Sequence, residues 1–280
     1  MAKISINEDD FQKFQEYFYR KTGIQFDTSK RYFVDKRLVE RIEATGHDNF
    51  RSYFAMLRFQ ASGMELQLLV NSMTINETYF FREEYQFHCL VNSILPEIVA
   101  KKKDNDPIRI WVIPSSSGEE PYSIAMCLIE RWSGINKWDV EIISSDIDTK
   151  ILKQAEAGLY SERSVKHVPK TYMNKYFRHS SRGYQLNDDM RSAVEFTRVN
   201  LMDVAETRAY RNFDVIFCRN LLIYFDDISR KQAVETFYDA LCPGGFICLG
   251  HSESMSRISS LYKIRKFPEA IVYQKPGDGK

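Results

Sequence analysis

From about residue 105 onward, short apolar runs alternate with segments whose apolar residues recur every three to four positions. That alternation predicts a mostly parallel α/β sheet, because parallel strands need helical crossovers between them. Residues 108–113 and 140–145 have the length and composition of buried strands. Between them a small-residue loop, Pro114 to Gly118, leads into a helix expected over 119–131, with Ile124, Ala125, Leu128 and Ile129 on one face. Further strands are expected at 213–218 and 246–249, and further helices at about 148–157 and 229–241. Residues 264–267 and 270–273, split by Pro268-Glu269, read as a closing antiparallel hairpin. Residues 160–200 break the alternation. Their short runs at 184–186, 194–196 and Val199 stand among turn formers and read as a small antiparallel insertion.

The first 75 residues carry a different period. Phe11, Phe14, Tyr17 and Phe18 fall on one helical face, as do Val34, Leu38, Val39 and Ile42, and then Tyr53, Met56, Leu57, Leu66, Leu68 and Leu69. Only Gly23, Gly46 and Gly63 punctuate this stretch and it contains no proline. The reading is an all-α bundle over 1–75 joined to an α/β domain over 76–280.

Composition then excludes classes of function. Lysine plus arginine number 39 against 38 aspartate plus glutamate, so nothing suggests a nucleic-acid coat. No run reaches the ~18–20 apolar residues of a membrane span, and the acidic N-terminus lacks a signal core. The five cysteines form an odd set without a C-x-x-C pair, which argues for free thiols in a reducing cytoplasm. The five histidines show no ligand spacing, so no metal is expected. There is no P-loop, and Gly250-His-Ser-Glu-Ser254 lacks the second glycine of a nucleophile elbow.

Four segments could carry chemistry. The loop at 114–118 is either a cofactor loop at a helix N-terminus or an ordinary strand–helix turn; Pro114 removes one N–H from it. Glu119 and Glu120 follow at once and would repel a phosphate, which favours a cationic or zwitterionic ligand over NAD or ATP. Asp146, at the end of the second strand, suits a ribose diol or the cap of the next helix, a task Asp148 or Thr149 could perform instead. The stretch 76–82 places three aromatics beside Thr78 and Arg82, as a site or as an apolar junction between domains. Arg219 and Asn220 end a buried strand where α/β folds bind ligands, with Tyr224 just beyond.

These segments occur in order: NETYFFRE (76–83), RIW with SSSGEEPYSIA (109–125), SSDID (144–148), VNL (199–201), FCRNLLIYF (217–225), PGGF (243–246) and GHSES (250–254). Together they resemble the CheR family of chemotaxis-receptor methyltransferases, which esterify glutamate side chains with S-adenosylmethionine and release S-adenosylhomocysteine. The resemblance covers about residues 5–275. It implies an all-α N-terminal domain and a class I, Rossmann-like methyltransferase domain with a small antiparallel β-subdomain inserted at about 160–200. It implies cofactor contacts at Asn76, Thr78, Arg82, Glu120, Asp146, Asn200, Leu201, Arg219 and Asn220, with Arg82 and Tyr224 near the transferred methyl. The implied partner is the cytoplasmic helical region of methyl-accepting receptors. The implied enzyme is a cytoplasmic monomer without membrane insertion, nucleic-acid partner or metal.

Two departures stand out. Pro114 occupies a position where the family carries glycine or alanine, which keeps open a non-catalytic S-adenosylmethionine sensor. The loop at 178–184 is shorter than in members that bind a receptor C-terminal pentapeptide, so independence of such a peptide is expected. A nucleic-acid enzyme is disfavoured, because no Asn/Asp-Pro-Pro-Tyr motif is present.

The chemistry needs no strong base, since a glutamate (pKa about 4.3) is ionised at neutral pH. It gains from a dry cleft, for which Tyr79, Phe80, Phe81 and Tyr224 are expected to supply aromatic walls. Lys30, Arg37 and Arg41 share one arc of the helix expected over 29–43, either a solvated face or a stripe for an acidic helix. The resemblance gives that helix the docking role, with Arg31 and Arg37 at the family's arginine positions and Arg41 on the same stripe.

Overall fold

The computed structural model describes residues 4–103 and 106–277; positions 1–3 and 278–280, the outer ends of the two expected domains, lie outside it. Four helices build the N-terminal bundle: α1 (Glu8–Thr22), α2 (Arg31–Ala44), α3 (Phe50–Phe59) and α4 (Met64–Met73). Asn7 caps α1 through a reciprocal bond with Asp10, and Gly23 ends it in the left-handed region, its N–H 2.7 Å from the Tyr19 carbonyl. Phe11, Phe14 and Phe18 of α1, Val34, Leu38 and Ile42 of α2, Tyr53 and Leu57 of α3, and Leu69 and Met73 of α4 share one dry core. Leu68, expected in that core, lies instead on the exposed side of α4.

The strands are β1 (Ile108–Val112), β2 (Val140–Asp146), β3 (Leu159–Tyr160), β4 (Phe177–Ser180), β5 (Gly183–Leu186), β6 (Glu195–Arg198), β7 (Phe213–Cys218), β8 (Leu241–Leu249), β9 (Lys263–Lys266) and β10 (Ile271–Gln274). Seven form one sheet in the order β6-β2-β1-β7-β8-β10-β9. Only β10 runs against the other six. Alternation along β1 sends Ile110 and Val112 to one apolar layer and Trp111 to the other, as expected of a strand covered on both faces. The domain is thus a mostly parallel α/β sheet with helices between its strands, preceded by an all-α domain, as expected.

The small antiparallel insertion expected at about 160–200 is present, but it does not take in the whole segment. β3, β5 and β4 make a separate three-stranded antiparallel sheet. Residues 194–196, expected within it, contribute to β6, which pairs parallel with β2 from Ile143 to Asp146. The reason is position: β6 is a sheet edge, so Glu195, Thr197 and Arg198 interrupt any apolar run and the strand reads like a hairpin arm. The last parallel strand also starts earlier than expected. β8 runs through Pro243-Gly-Gly245, with an irregularity opposite Phe213–Val215. Gly245 has carbonyls of Asp214 and Cys242 at about 3 Å from where a Cβ would sit, so a side chain there would press on backbone.

The chain leaves β1 toward β2 on one side and reaches β7 on the other. The carboxyl ends of β1 and β7 therefore flank the point where strand order reverses, the usual crevice of such sheets.

Candidate active site

At that crevice the sheet meets the bundle in a cleft of about 280 Å³. Ile24 and Phe26, beyond α1, and Met73, the last residue of α4, with residues 74–78 beyond it, form one wall. Pro114, Ser115 and Ser116 follow β1, Asp146 and Ile147 end and follow β2, and residues 219–221, 223 and 224 follow β7. Asn76, Thr78, Arg82, Glu120, Asp146, Arg219, Asn220 and Tyr224 all line this cleft. Asn200 and Leu201 line a smaller pocket that adjoins it, sharing Pro114, Asp146 and Leu221. The Asn200 amide is partly committed elsewhere, since its Nδ2 donates to the Lys21 carbonyl at 2.6 Å.

Asp146 is not the cap of the following helix. Asp148 performs that task by accepting from the N–H groups of Lys150 and Ile151. Asp146 instead accepts from Ser116 N at 2.8 Å and Asp148 N at 3.0 Å, fixing the loop after β1. Burial pushes its carboxyl up to about 6, against the pull of those donors. Asp148 also accepts from Thr74 Oγ1 at 2.6 Å and Asn76 Nδ2 at 3.1 Å, which ties the segment beyond α4 to the end of β2.

Glu119 and Glu120 separate cleanly. Glu119 turns away and accepts from Ser117 and Ser164 hydroxyls. Glu120 faces the cleft, with Oε2 3.2 Å from Arg219 Nη1. The Arg219 side chain is 1% exposed, donates to the Arg82 carbonyl at 2.6 Å and lies over the Phe87 ring. Burial raises the Glu120 carboxyl and Arg219 opposes it, while Glu83 and Glu253 add to the rise. Glu120 Oε1 and the hydroxyls of Ser115 and Ser116 are buried without a hydrogen-bond partner.

The backbone is forced at the same place. Phe81, Glu83, Ser116 and Asn220 adopt φ of 61°, 54°, 49° and 58°. Left-handed non-glycine residues cost free energy and concentrate at functional sites. The turn at 79–83 also overturns an expectation: Phe80 and Phe81 do not wall the cleft. Both are buried in the domain core, Phe80 edge-on to Tyr160 and Phe177. Tyr79 is partly exposed against His167. Consecutive residues of a contorted turn point different ways, so of the four aromatics only Tyr224 lines the cleft. Burial raises its phenol. Arg82 projects into the cleft with Nη1 3.2 Å from the Glu77 carbonyl. Pro114 stands in the wall and the cavity remains open beside it.

The arginines of α2 are less free than the stripe suggested. Arg31 pairs with Glu8 and Asp35, and Arg37 with Glu40. Arg41 is committed: Glu65, itself buried, accepts from its Nε and Nη2 at 2.9 and 2.6 Å and also from Tyr53. Arg41 therefore braces α2 on α4 instead of presenting a free charge. Sequence reading missed Ile24, Phe26, Ile75, Glu77 and Ile223 in the cleft. It also missed Glu253, which stood within the Gly250–Ser254 segment without a role of its own. Its one signal was an acid three residues after a glycine, close enough to reach back.

The CheR methyltransferase all-alpha domain matches residues 9–74, and the CheR methyltransferase S-adenosylmethionine-binding domain matches 76–271. The chain belongs to the CheR methyltransferase family. It is 56% identical over its whole length to "Chemotaxis protein methyltransferase 2" of Vibrio cholerae, covering 97% of that protein. It is 34% identical to the "Chemotaxis protein methyltransferase" of Borreliella burgdorferi, covering 90% of each chain. It is 31% identical to that of Salmonella typhimurium, covering 94% of this chain and 90% of the relative. As a CheR protein it is an S-adenosylmethionine-dependent methyltransferase. The cleft fits that molecule. Its lining carries Glu77, Glu120 and Asp146 against Arg82 and Arg219, an acidic excess among the described residues that suits a sulfonium and an ammonium. The unpartnered Glu120 oxygen and serine hydroxyls are acceptors and donors awaiting a polar ligand. Among the described residues no cluster of metal-ligating side chains occurs, and no helix is long and apolar enough to cross a membrane.

Proposed function

We propose that this CheR protein esterifies glutamate side chains in the cytoplasmic helices of chemotaxis receptors. The supporting observation is an acidic cleft whose lining contains no histidine, lysine or cysteine. An amine substrate would need its proton removed; a glutamate carboxylate arrives ionised. S-adenosylmethionine supplies an electrophilic methyl, and its transfer to the carboxylate oxygen leaves a neutral thioether and a methyl ester with no proton to move.

The chain's own residues bind, orient and dry. Asp146 receives the ribose hydroxyls and Glu120 holds the methionine end. Asn76, Thr78, Asn200, Leu201, Arg219 and Asn220 complete the cofactor's surroundings, Arg219 by pairing with Glu120 and holding the Arg82 carbonyl. Arg82 orders the mouth and steers the incoming carboxylate. Tyr224 stands at the transfer point and excludes water. Alignment of this kind is worth on the order of 7–11 kcal/mol in favourable cases. Docking falls to α2, with Arg37 its half-exposed charge and Arg31 held back by Glu8 and Asp35. The tight β4–β5 connection at Ser181-Arg182 supports independence from a receptor pentapeptide, and the chain acts as a cytoplasmic monomer.

The test uses a receptor cytoplasmic fragment and methyl-labelled S-adenosylmethionine. Label released as methanol by mild base is the expected result, since only esters are so labile. Base-stable label would overturn the carboxylate assignment.

A further inference from the structure

Glu253 lies outside the cleft lining but directly behind it. Its carboxylate accepts from three backbone N–H groups: Asn220 at 2.8 Å, Leu222 at 2.9 Å and Gly250 at 2.9 Å. Two of these belong to the turn after β7 that presents Asn220, Leu221, Ile223 and Tyr224 to the cleft. Asn220 sits in the left-handed region, so something must hold it there. Gly250 is shaped for the same contact: a Cβ would lie 2.8 Å from Glu253 Oε2 and 3.0 Å from Asn220 N. Among the described residues Glu253 makes no ion pair; backbone N–H groups alone meet its carboxylate, and burial raises that carboxyl against their pull. It is close enough to raise the Glu120 carboxyl.

We infer that Glu253 has two roles: it positions the Asn220–Tyr224 turn, and its uncompensated charge makes the cleft distinguish a sulfonium from a thioether. The inference rests on the reading that the cleft holds S-adenosylmethionine. The substrate carries a positive sulfur that the product lacks. A buried carboxylate without a counter-ion therefore stabilises the first and is indifferent to the second. The same charge favours release of product after each turnover. The positioning role acts on both ligands equally, because both touch the turn in the same way.

Calorimetry on the full chain with S-adenosylmethionine and with S-adenosylhomocysteine separates the roles. Glu253→Gln keeps the size but removes the charge, and sets an N–H₂ against a backbone donor. It should weaken the sulfonium about tenfold more than the thioether, the scale of one charge–charge term in a partly screened site. Glu253→Asp keeps the charge but withdraws it from the N–H donors. It should weaken both ligands together and leave their affinity ratio near that of the parent. An unchanged ratio in the Gln variant overturns the charge role, and unchanged affinities in the Asp variant overturn the positioning role. A parent chain that binds neither nucleoside would instead refute the reading of the cleft itself.

Discussion

Asp146 and Arg219 show how single residues set the behaviour of the cleft. Burial holds the Asp146 carboxyl up to about 6 in the folded chain, above the ordinary value of 3.8. The sign follows from linkage: an acid with a raised folded pKa penalises folding when ionised, so that penalty is present above pH 6 and relieved as pH falls toward 4. In the proposed role of Asp146, ribose hydroxyls donate to the ionised carboxylate, so cofactor affinity runs the other way. Affinity should fall as pH is lowered through about 6, and calorimetry across that range should find the step missing in Asp146→Asn. Arg219 is a different case. Removing it leaves Glu120 and Glu83 without their shared cation in a buried place. Arg219→Ala should cost on the order of 3–5 kcal/mol in a denaturant titration. Arg82 contributes its carbonyl to structure but its side chain faces open space. Arg82→Ala should therefore keep stability within about 0.5 kcal/mol while turnover on a receptor fragment is lost.

At the scale of elements, α2 carries two kinds of arginine that look alike in sequence. Arg41 is clamped on buried Glu65, so Arg41→Ala should destabilise the bundle by on the order of 3 kcal/mol, read from thermal unfolding. Arg37 lies half-exposed beside Glu40, and Lys36 is exposed on the same helix. Reversing both to Glu should slow receptor methylation and leave cofactor affinity unchanged. The elements themselves were largely legible. The cap at Asp148 and the apolar runs of β1, β2 and β7 are local signals. What escaped was non-local. β6 reveals its parallel partner only through β2, and Phe80 and Phe81 face the core because two left-handed residues twist their turn. The strand-end residues of the cleft were readable because a parallel sheet fixes where its carboxyl edge points. Glu253 and the wall formed by Ile24 and Phe26 were not, since both depend on contacts between distant segments.

The whole molecule is joined across the cleft by specific bonds. Gln67 donates to the Ile147 carbonyl, Asn71 to Thr149, Thr74 to Asp148 and Tyr19 to Asp226, and Ile24 bridges Phe225. A ligand seated between bundle and sheet should stabilise both together. Saturating S-adenosylmethionine at ~100 times its Kd should add about 2.7 kcal/mol to a single unfolding transition. Two separate transitions, only one of them moved by the ligand, would contradict that coupling. The wall given by Ile24, Phe26 and Ile75 has a further consequence. One wall of the nucleoside chamber is built by the same bundle that is proposed to dock the receptor, and Ile24 and Phe26 of that wall pack on the core that α1 to α4 share. A substitution that loosens the four-helix core should therefore be felt in the wall of the nucleoside chamber as well as at the surface of α2.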